Sequence, residues 1–263
     1  MGLADSHSLN QSSLFIIQYV RRVNAVLSMV GVVPRVHTVA PVATVLSTCS
    51  KSGTFALTFD DGSTEITNTL LDTLKSKGVK ATFFVNGLNY RCIYDMADII
   101  KRIVAEGHQL GSHTWDHADL TTLSDTQIRQ EMTKLETAFR KIVGKVPRYM
   151  RPPYGSINDQ VRRVLGSLGY TAVLWDIDSG DSLGDSVNES EQIYTDNAIF
   201  PTPHCALNHD PLSTTVNQLA PFAIDLLKGR GYSLVTFGQC IGDNTGWYKE
   251  TTTPGTRDST WVC

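Results

Sequence analysis

From residue 54 to about residue 237 the chain switches repeatedly between short apolar runs and amphipathic helical periods, and that alternation restricts it to an α/β fold with a parallel sheet. Strands are expected at 54–59, 81–85, 109–112, 148–151, 171–176, 205–209 and 233–237. Helices are expected between them at 64–77, 95–106, 124–143, 158–168, 189–199 and 215–229. Seven strands in this rhythm suggest a barrel. The third helix is the clearest: Ser124 and Gln127 form a capping box, and Ile128, Met132, Leu135, Phe139 and Ile142 recur on one face, which makes them core. Gly78, Gly107, Gly169 and Gly231 follow helix ends, where a left-handed cap is needed. Three segments result: a leader over 1–48 with helical potential, an α/β domain over 49–241, and a tail over 242–263 that reads as irregular.

The 263 residues carry a formal net charge of −3, with Lys and Arg scattered, so there is no electrostatic footprint for nucleic acid. A neutral polymer such as a polysaccharide suits that balance. In the leader, the apolar stretch 14–20 is cut by Arg21 and Arg22 before a second one from Ala25 to Val33. Neither reaches the roughly 20 residues of a membrane span, and a secretory signal normally places its charge before the apolar core. A terminal amphipathic helix and a cryptic signal both fit. Asn10 and Asn188 begin N-x-S acceptors, consistent with secretion. The five cysteines, at 49, 92, 205, 240 and 263, lack zinc-knuckle spacing. Cys49 precedes the first core strand and Cys240 follows the last, so in a closed barrel they are neighbours and a bond between them is expected. Cys205, inside an apolar run, reads as a buried thiol.

The polar residues fall in one place. Asp60 and Asp61 end the first strand, His113 follows the third, Arg151 ends the fourth, Asp178 and Asp181 follow the fifth, and His209 ends the sixth. In a parallel barrel all carboxyl ends lie on one face, where groups from distant parts of the chain converge. Taken alone, Thr58-Phe59-Asp60-Asp61-Gly62 is explained by an Asp-Gly turn with a capping aspartate, the glycine turning sharply into the next helix. His113-Thr-Trp-Asp-His117 shifts the balance: in a helical turn an i, i+4 pair puts both imidazoles on one side, within reach of an ion at about 2.0–2.1 Å. With Asp61 it makes a two-His, one-carboxylate set that leaves a coordination position open, the mark of a catalytic site. Zinc is preferred, and cobalt or another divalent cation is compatible. Arg151-Pro-Pro-Tyr154-Gly is a stiff loop able to present the Tyr154 N–H to an oxyanion, with Arg151 orienting a carboxylate. Strand alternation puts Leu207 and His209 on the same side. His204 reads as a loop histidine, and His7, His37 and His108 have no evident partner.

These segments, in this order, resemble the polysaccharide deacetylase family (carbohydrate esterase family four) over roughly residues 49–241. The resemblance implies a distorted, TIM-like (β/α)7 barrel. It also implies Asp60 as catalytic base, Asp61, His113 and His117 as metal ligands, and His209 as catalytic acid tuned by Asp181. Arg151 would orient the base and Leu207 would line the pocket for an acetyl methyl. One segment departs: Asp178-Ser-Gly-Asp181 is followed by Ser182 where an aromatic residue is expected, and Trp175 or another aromatic from a loop is the candidate to replace it. The Asn-Tyr-Arg-Cys loop and the closing Thr-Phe-Gly-Gln-Cys-Ile-Gly-Asp resemble fungal chitin deacetylases. The implied activity is removal of N-acetyl groups from chitin or chito-oligosaccharides by a secreted or cell-wall monomer. The alternatives are an acetylxylan or peptidoglycan deacetylase, or a catalytically weak protein that masks chitin.

Overall fold

The structure, a computed structural model, describes residues 41–263. Residues 1–40 of the leader, with its two apolar stretches, His7, His37 and the Asn10 acceptor, lie outside them, whereas residues 41–48 are described and contribute the first strand. The ordered elements begin with β1 (Val45–Leu46), β2 (Thr54–Asp60), α1 (Thr67–Ser76), β3 (Thr82–Val85), α2 (Ala97–Ala105), β4 (Gln109–Ser112), α3 (Asp125–Val143), β5 (Lys145–Pro147) and β6 (Tyr149–Met150). They continue with α4 (Asp159–Ser167), β7 (Thr171–Val173), β8 (Ile177–Asp178), α5 (Val187–Asn197), β9 (His204–His209), α6 (Ala220–Gly229), β10 (Ser233–Leu234), α7 (Phe237–Cys240) and β11 (Tyr248–Thr251).

All seven expected strands belong to one nine-stranded sheet ordered β1-β7-β6-β4-β3-β2-β9-β8, with β10 also paired to β2, and every pairing is parallel. This is the expected distorted barrel, its hydrogen bonding left open between β1 and β8 among the described residues. Those two strands, two residues each, are the additions. They are too short for any hydrophobic period to register in sequence. The expected strand 171–176 accordingly stops at Val173, and the chain bends before β8 pairs with β9. His204 opens β9 instead of sitting in a loop, and its Nδ1 hydrogen-bonds Asp176 Oδ2 at 2.8 Å. His108 also has a partner, since its Nδ1 accepts from the Ala81 N–H at 3.1 Å.

β2 is central because its residues are buried along nearly its whole length, as a parallel strand covered on both faces must be. Leu70, Leu71 and Leu74 of α1, Ile100 and Ile103 of α2, and Leu135, Phe139 and Ile142 of α3 close over the sheet. Each such side chain contributes about 1.5–3 kcal/mol on burial. The Ser124 capping box is present, and α3 ends at Gly144 with φ 64°. A Cβ there would also come within 2.2 Å of the Thr252 carbonyl, so the same glycine lets the tail approach. In the expected helix 215–229, Pro221 has no N–H for an internal helical bond, and a five-residue π turn over Thr215–Leu219 precedes α6.

The tail is not irregular throughout. β11 pairs antiparallel with β5, Lys249 Nζ reaches the buried Glu136 carboxylate at 2.6 Å, and Cys263 is bonded to Cys92. The expected Cys49–Cys240 bond is present and Cys205 is a buried free thiol. None of the described helices is long and apolar enough to cross a membrane.

Register is what builds the functional face. Asp60 stands opposite both Phe84 and His209, Val85 opposite Ser112, and Ser112 opposite Met150. The carboxyl ends of β2, β3, β4, β6 and β9 are therefore level, and the residues that end or follow them meet.

Candidate active site and metal centre

Asp60 is the last residue of β2, and Asp61 leaves the strand with φ 69°. That left-handed step frees the two carboxylates from pointing to opposite faces, as neighbours on a strand would. The turn is therefore made by Asp61. Gly62 serves close packing instead, since a Cβ there would lie 2.2 Å from a carboxylate oxygen of Asp210. Asp210 is buried, its pKa pushed up to about 7 by that burial, and it accepts a hydrogen bond from Thr67.

His113 and His117 are brought together, but not by a helical turn. The segment is a loop after β4 in which Thr114 and His117 take φ of 71° and 57°, conformations that no helical period could announce. Asn86, the residue after β3, donates from Nδ2 to the His113 carbonyl at 2.5 Å and the Thr114 carbonyl at 3.2 Å. The Arg151 carbonyl accepts from His113 Nδ1 at 2.7 Å, which leaves the proton on Nδ1 and the Nε2 lone pair free. His117 Nδ1 lies 3.3 Å from the Tyr154 hydroxyl. Both Nε2 atoms face Asp61 Oδ1, at 3.5 Å from His113 and 3.2 Å from His117.

These three side chains fit a divalent cation. Each offers one ligand atom, and the three atoms lie within 4.8 Å of one another, a cluster unique among the described residues. Asp61 Oδ1 is buried with no hydrogen-bond partner, a costly state that a cation would relieve. Burial works to raise the Asp61 pKa, but the adjacent His113, then His117 and His209, outweigh it and hold the carboxyl below its usual value. Burial, then the neighbouring His113, lowers the His117 pKa and favours the neutral imidazole that ligates.

Arg151 is fully buried and spends every donor. Its Nη1 reaches Asp60 Oδ1 at 2.9 Å and Thr58 Oγ1 at 2.7 Å, Nη2 the Leu174 carbonyl at 2.9 Å, and Nε the Val173 carbonyl at 3.2 Å. Its guanidinium is 4.4 Å from the Phe84 ring centroid and 5.4 Å from that of Trp175. Cys205 Sγ lies behind it at 3.6 Å, its pKa pushed up to about 12 by burial, which makes it an inert thiol.

Across the cleft, Asp181 grips His209 twice. Oδ1 accepts from the ring Nδ1 at 2.7 Å and Oδ2 from the backbone N–H at 2.8 Å, and Oδ2 also accepts from Thr215. Burial opposes the imidazolium, yet the Asp181 hydrogen bond and charge push the His209 pKa up to about 9.

One cavity of about 450 Å³ joins these groups, lined by Asp60, Asp61, His113, His117, Tyr154 and His209 together with Leu207, Trp175 and Asp178. Leu207 and His209 share a side of β9, as alternation requires. Trp175 faces the same cavity, held by its Nε1 donating to Asp178 Oδ2 at 3.2 Å. Ser182 and Leu183 complete the wall. Leu183, 74% exposed, is an apolar contributor the sequence reading missed, and its only signal was its position after Asp181. Thr58 and Asn86 were missed too: Thr58 lies within the segment already singled out, whereas Asn86 follows the second strand, whose end was not.

A parallel α/β barrel that gathers a two-His, one-carboxylate cluster, a buried Asp–Arg pair and an Asp–His pair around one cavity defines a metal-dependent hydrolase. The chain belongs to the polysaccharide deacetylase family: the family's model matches residues 47–173. It is 45% identical to a chitin deacetylase of a Pestalotiopsis species, covering 80% of this chain and 71% of that protein. It is 41% identical to a chitin deacetylase of Arthroderma benhamiae, covering 80% of this chain and 57% of that relative's length. The structure of the chitin deacetylase of Colletotrichum lindemuthianum superposes with a TM-score of 0.77 at 40% identity, covering 80% of this chain and 96% of that one.

Proposed function

We propose that this protein is a chitin deacetylase that hydrolyses the N-acetyl groups of N-acetylglucosamine units in chitin or chito-oligosaccharides, releasing acetate and leaving glucosamine. The carrying observation is the meeting of Asp60, the Asp61–His113–His117 cluster and the Asp181-held His209 around one cavity. Asp61, His113 and His117 would hold a divalent cation, with zinc preferred, which when bound would supply Lewis acidity for the ionisation of water near neutral pH and for polarising the acetamide carbonyl.

The chain's own residues supply the rest. Asp60, held by Arg151, takes the proton from water as its oxygen bonds to the carbonyl carbon. The Tyr154 N–H faces the oxyanion, and Leu207 and Trp175 enclose the acetyl methyl, Trp175 standing in for the aromatic absent at Ser182. Protonated His209 gives its proton to the sugar nitrogen, so the C–N bond breaks to an amine and not to an amide anion. Acetate leaves. Secretion or a cell-wall location agrees with the two disulfides, which persist in oxidising compartments.

Acetate release from chitin oligomers tests the whole reading. It is expected from zinc-loaded protein, abolished by chelator and restored by zinc. Release from acetylated xylan but not from chitin oligomers would move the substrate, and no release from either would reject the enzyme.

The acid assignment has its own test. With a raised pKa, His209 is protonated below about pH 9 and loses its proton above it, so kcat/KM falls on the alkaline side. Asp181→Asn removes the charge that raises it, and the alkaline limb is expected to move toward neutral pH. An unchanged pH profile in that variant would reject His209 as the acid.

A further inference from the structure

The loop between the two histidines is held in a shape its own residues disfavour. Thr114 and His117 both occupy the left-handed region, which crowds the Cβ of an L residue, most severely in β-branched threonine. Something outside the loop must hold it. The carbonyl side is held from the segment after β3: Asn86 reaches the His113 and Thr114 carbonyls, and the Leu88 N–H donates to the Trp115 carbonyl at 2.7 Å. The amide side is held by one carboxylate. Glu131 Oε2 accepts from the Trp115 N–H and from the Asp116 N–H, both at 2.9 Å.

Glu131 sits on α3, where Ile128, Met132 and Leu135 are fully buried on either side of it in sequence. Its backbone is thus placed by the core and not by the loop it grips. Lys134 of the same helix lies with Nζ 4.1 Å over the Trp115 ring, and Trp115 is itself buried against Gly87, where a Cβ would come within 2.1 Å of the indole. α3 therefore acts as a rigid template for the loop.

We propose that Glu131 is a positioning residue for the metal centre: by accepting the Trp115 and Asp116 N–H groups it fixes the turn that sets both imidazoles on one cation. The two histidines do not depend on it equally. His113 stays at the end of β4 with its Nδ1 bonded to the Arg151 carbonyl whatever the loop does. His117 lies beyond the gripped amides, and with them released its imidazole drifts from the cluster. The inference rests on Asp61, His113 and His117 holding a cation.

The test is zinc affinity of the full chain, by competition with a chromogenic chelator, for wild type, Glu131→Ala and Glu131→Gln, beside urea unfolding of the metal-free proteins. Glu131→Ala is expected to weaken zinc binding by about 10–100-fold, the range for groups that orient metal ligands. Glu131→Gln, whose amide oxygen can still accept both N–H groups, is expected to return to within about threefold of wild type. If Glu131→Ala fails to fold, Glu131→Met keeps the side-chain stem and makes the same comparison. A loss of stability with wild-type zinc affinity overturns the proposal, as does Gln weakened as much as Ala. Wild type that binds no zinc overturns the metal reading itself.

Discussion

Replacing Asp60 by Asn is expected to lower kcat/KM for acetate release from chitin oligomers by about 10²–10⁴-fold, the usual contribution of a positioned general base. The substitution keeps the shape of the side chain and an oxygen for Arg151 Nη1, which now lies 2.9 Å from Asp60 Oδ1. What it removes is the capacity to take a proton. Asp60 is outside the cluster of Asp61, His113 and His117, so zinc affinity is expected to stay near the wild-type value. Chelator competition and an acetate assay on the same preparation separate the two effects. Wild-type acetate release from Asp60→Asn would show that another group is the base, and lost zinc binding would show that Asp60 is a ligand.

Arg151→Met is expected to cost about 3–5 kcal/mol of stability, the penalty for removing one partner of a buried ion pair. The guanidinium is fully buried, and methionine fills part of its volume while satisfying none of its contacts. Asp60 would be left buried without its counter-charge, and the Val173 and Leu174 carbonyls and the Thr58 hydroxyl would each lose a donor. The same residue ties the end of β6 to β7 and β2, so disorder should spread across the face that carries the site. Urea unfolding measures the loss. Arg151→Lys is not expected to rescue it, because an ammonium cannot reproduce the planar fork that reaches Asp60, Thr58 and two carbonyls at once. An unchanged unfolding midpoint in Arg151→Met would mean that the buried pair contributes nothing to stability.

Much of the candidate site is legible in the sequence because barrel chemistry sits at strand ends, and strand ends can be read. Asp60, Asp61, His113, Arg151 and His209 each end or follow an apolar run, and the register Asp60 opposite His209 and Val85 opposite Ser112 makes those ends level. The Cys49–Cys240 bond was legible for the same reason, since its cysteines bracket the first and last core strands. The route by which the histidines meet was not. An i, i+4 spacing implies a helical turn, whereas His113 and His117 meet through left-handed steps at Thr114 and His117 in a loop held by Asn86 and Glu131, at least 27 and 15 residues from their partners.

Residue type and hydrophobic period, both local properties, determined by themselves the α/β alternation, the seven principal strands, the α3 face of Ile128, Met132, Leu135, Phe139 and Ile142, and the set of groups available for chemistry. Tertiary structure alone decided the two-residue strands β1 and β8, which have no period and exist only because β7 and β9 offer unpaired edges. It also decided the docking of the tail through β11 and Cys263, and the close approach of Asp210 that admits only glycine at 62. The turn at Asp61 belongs with these, as does the wall of Trp175 and Leu183 beside Ser182. Each depends on which distant backbone lies alongside, and that is set by packing the whole barrel, not by any window of the chain.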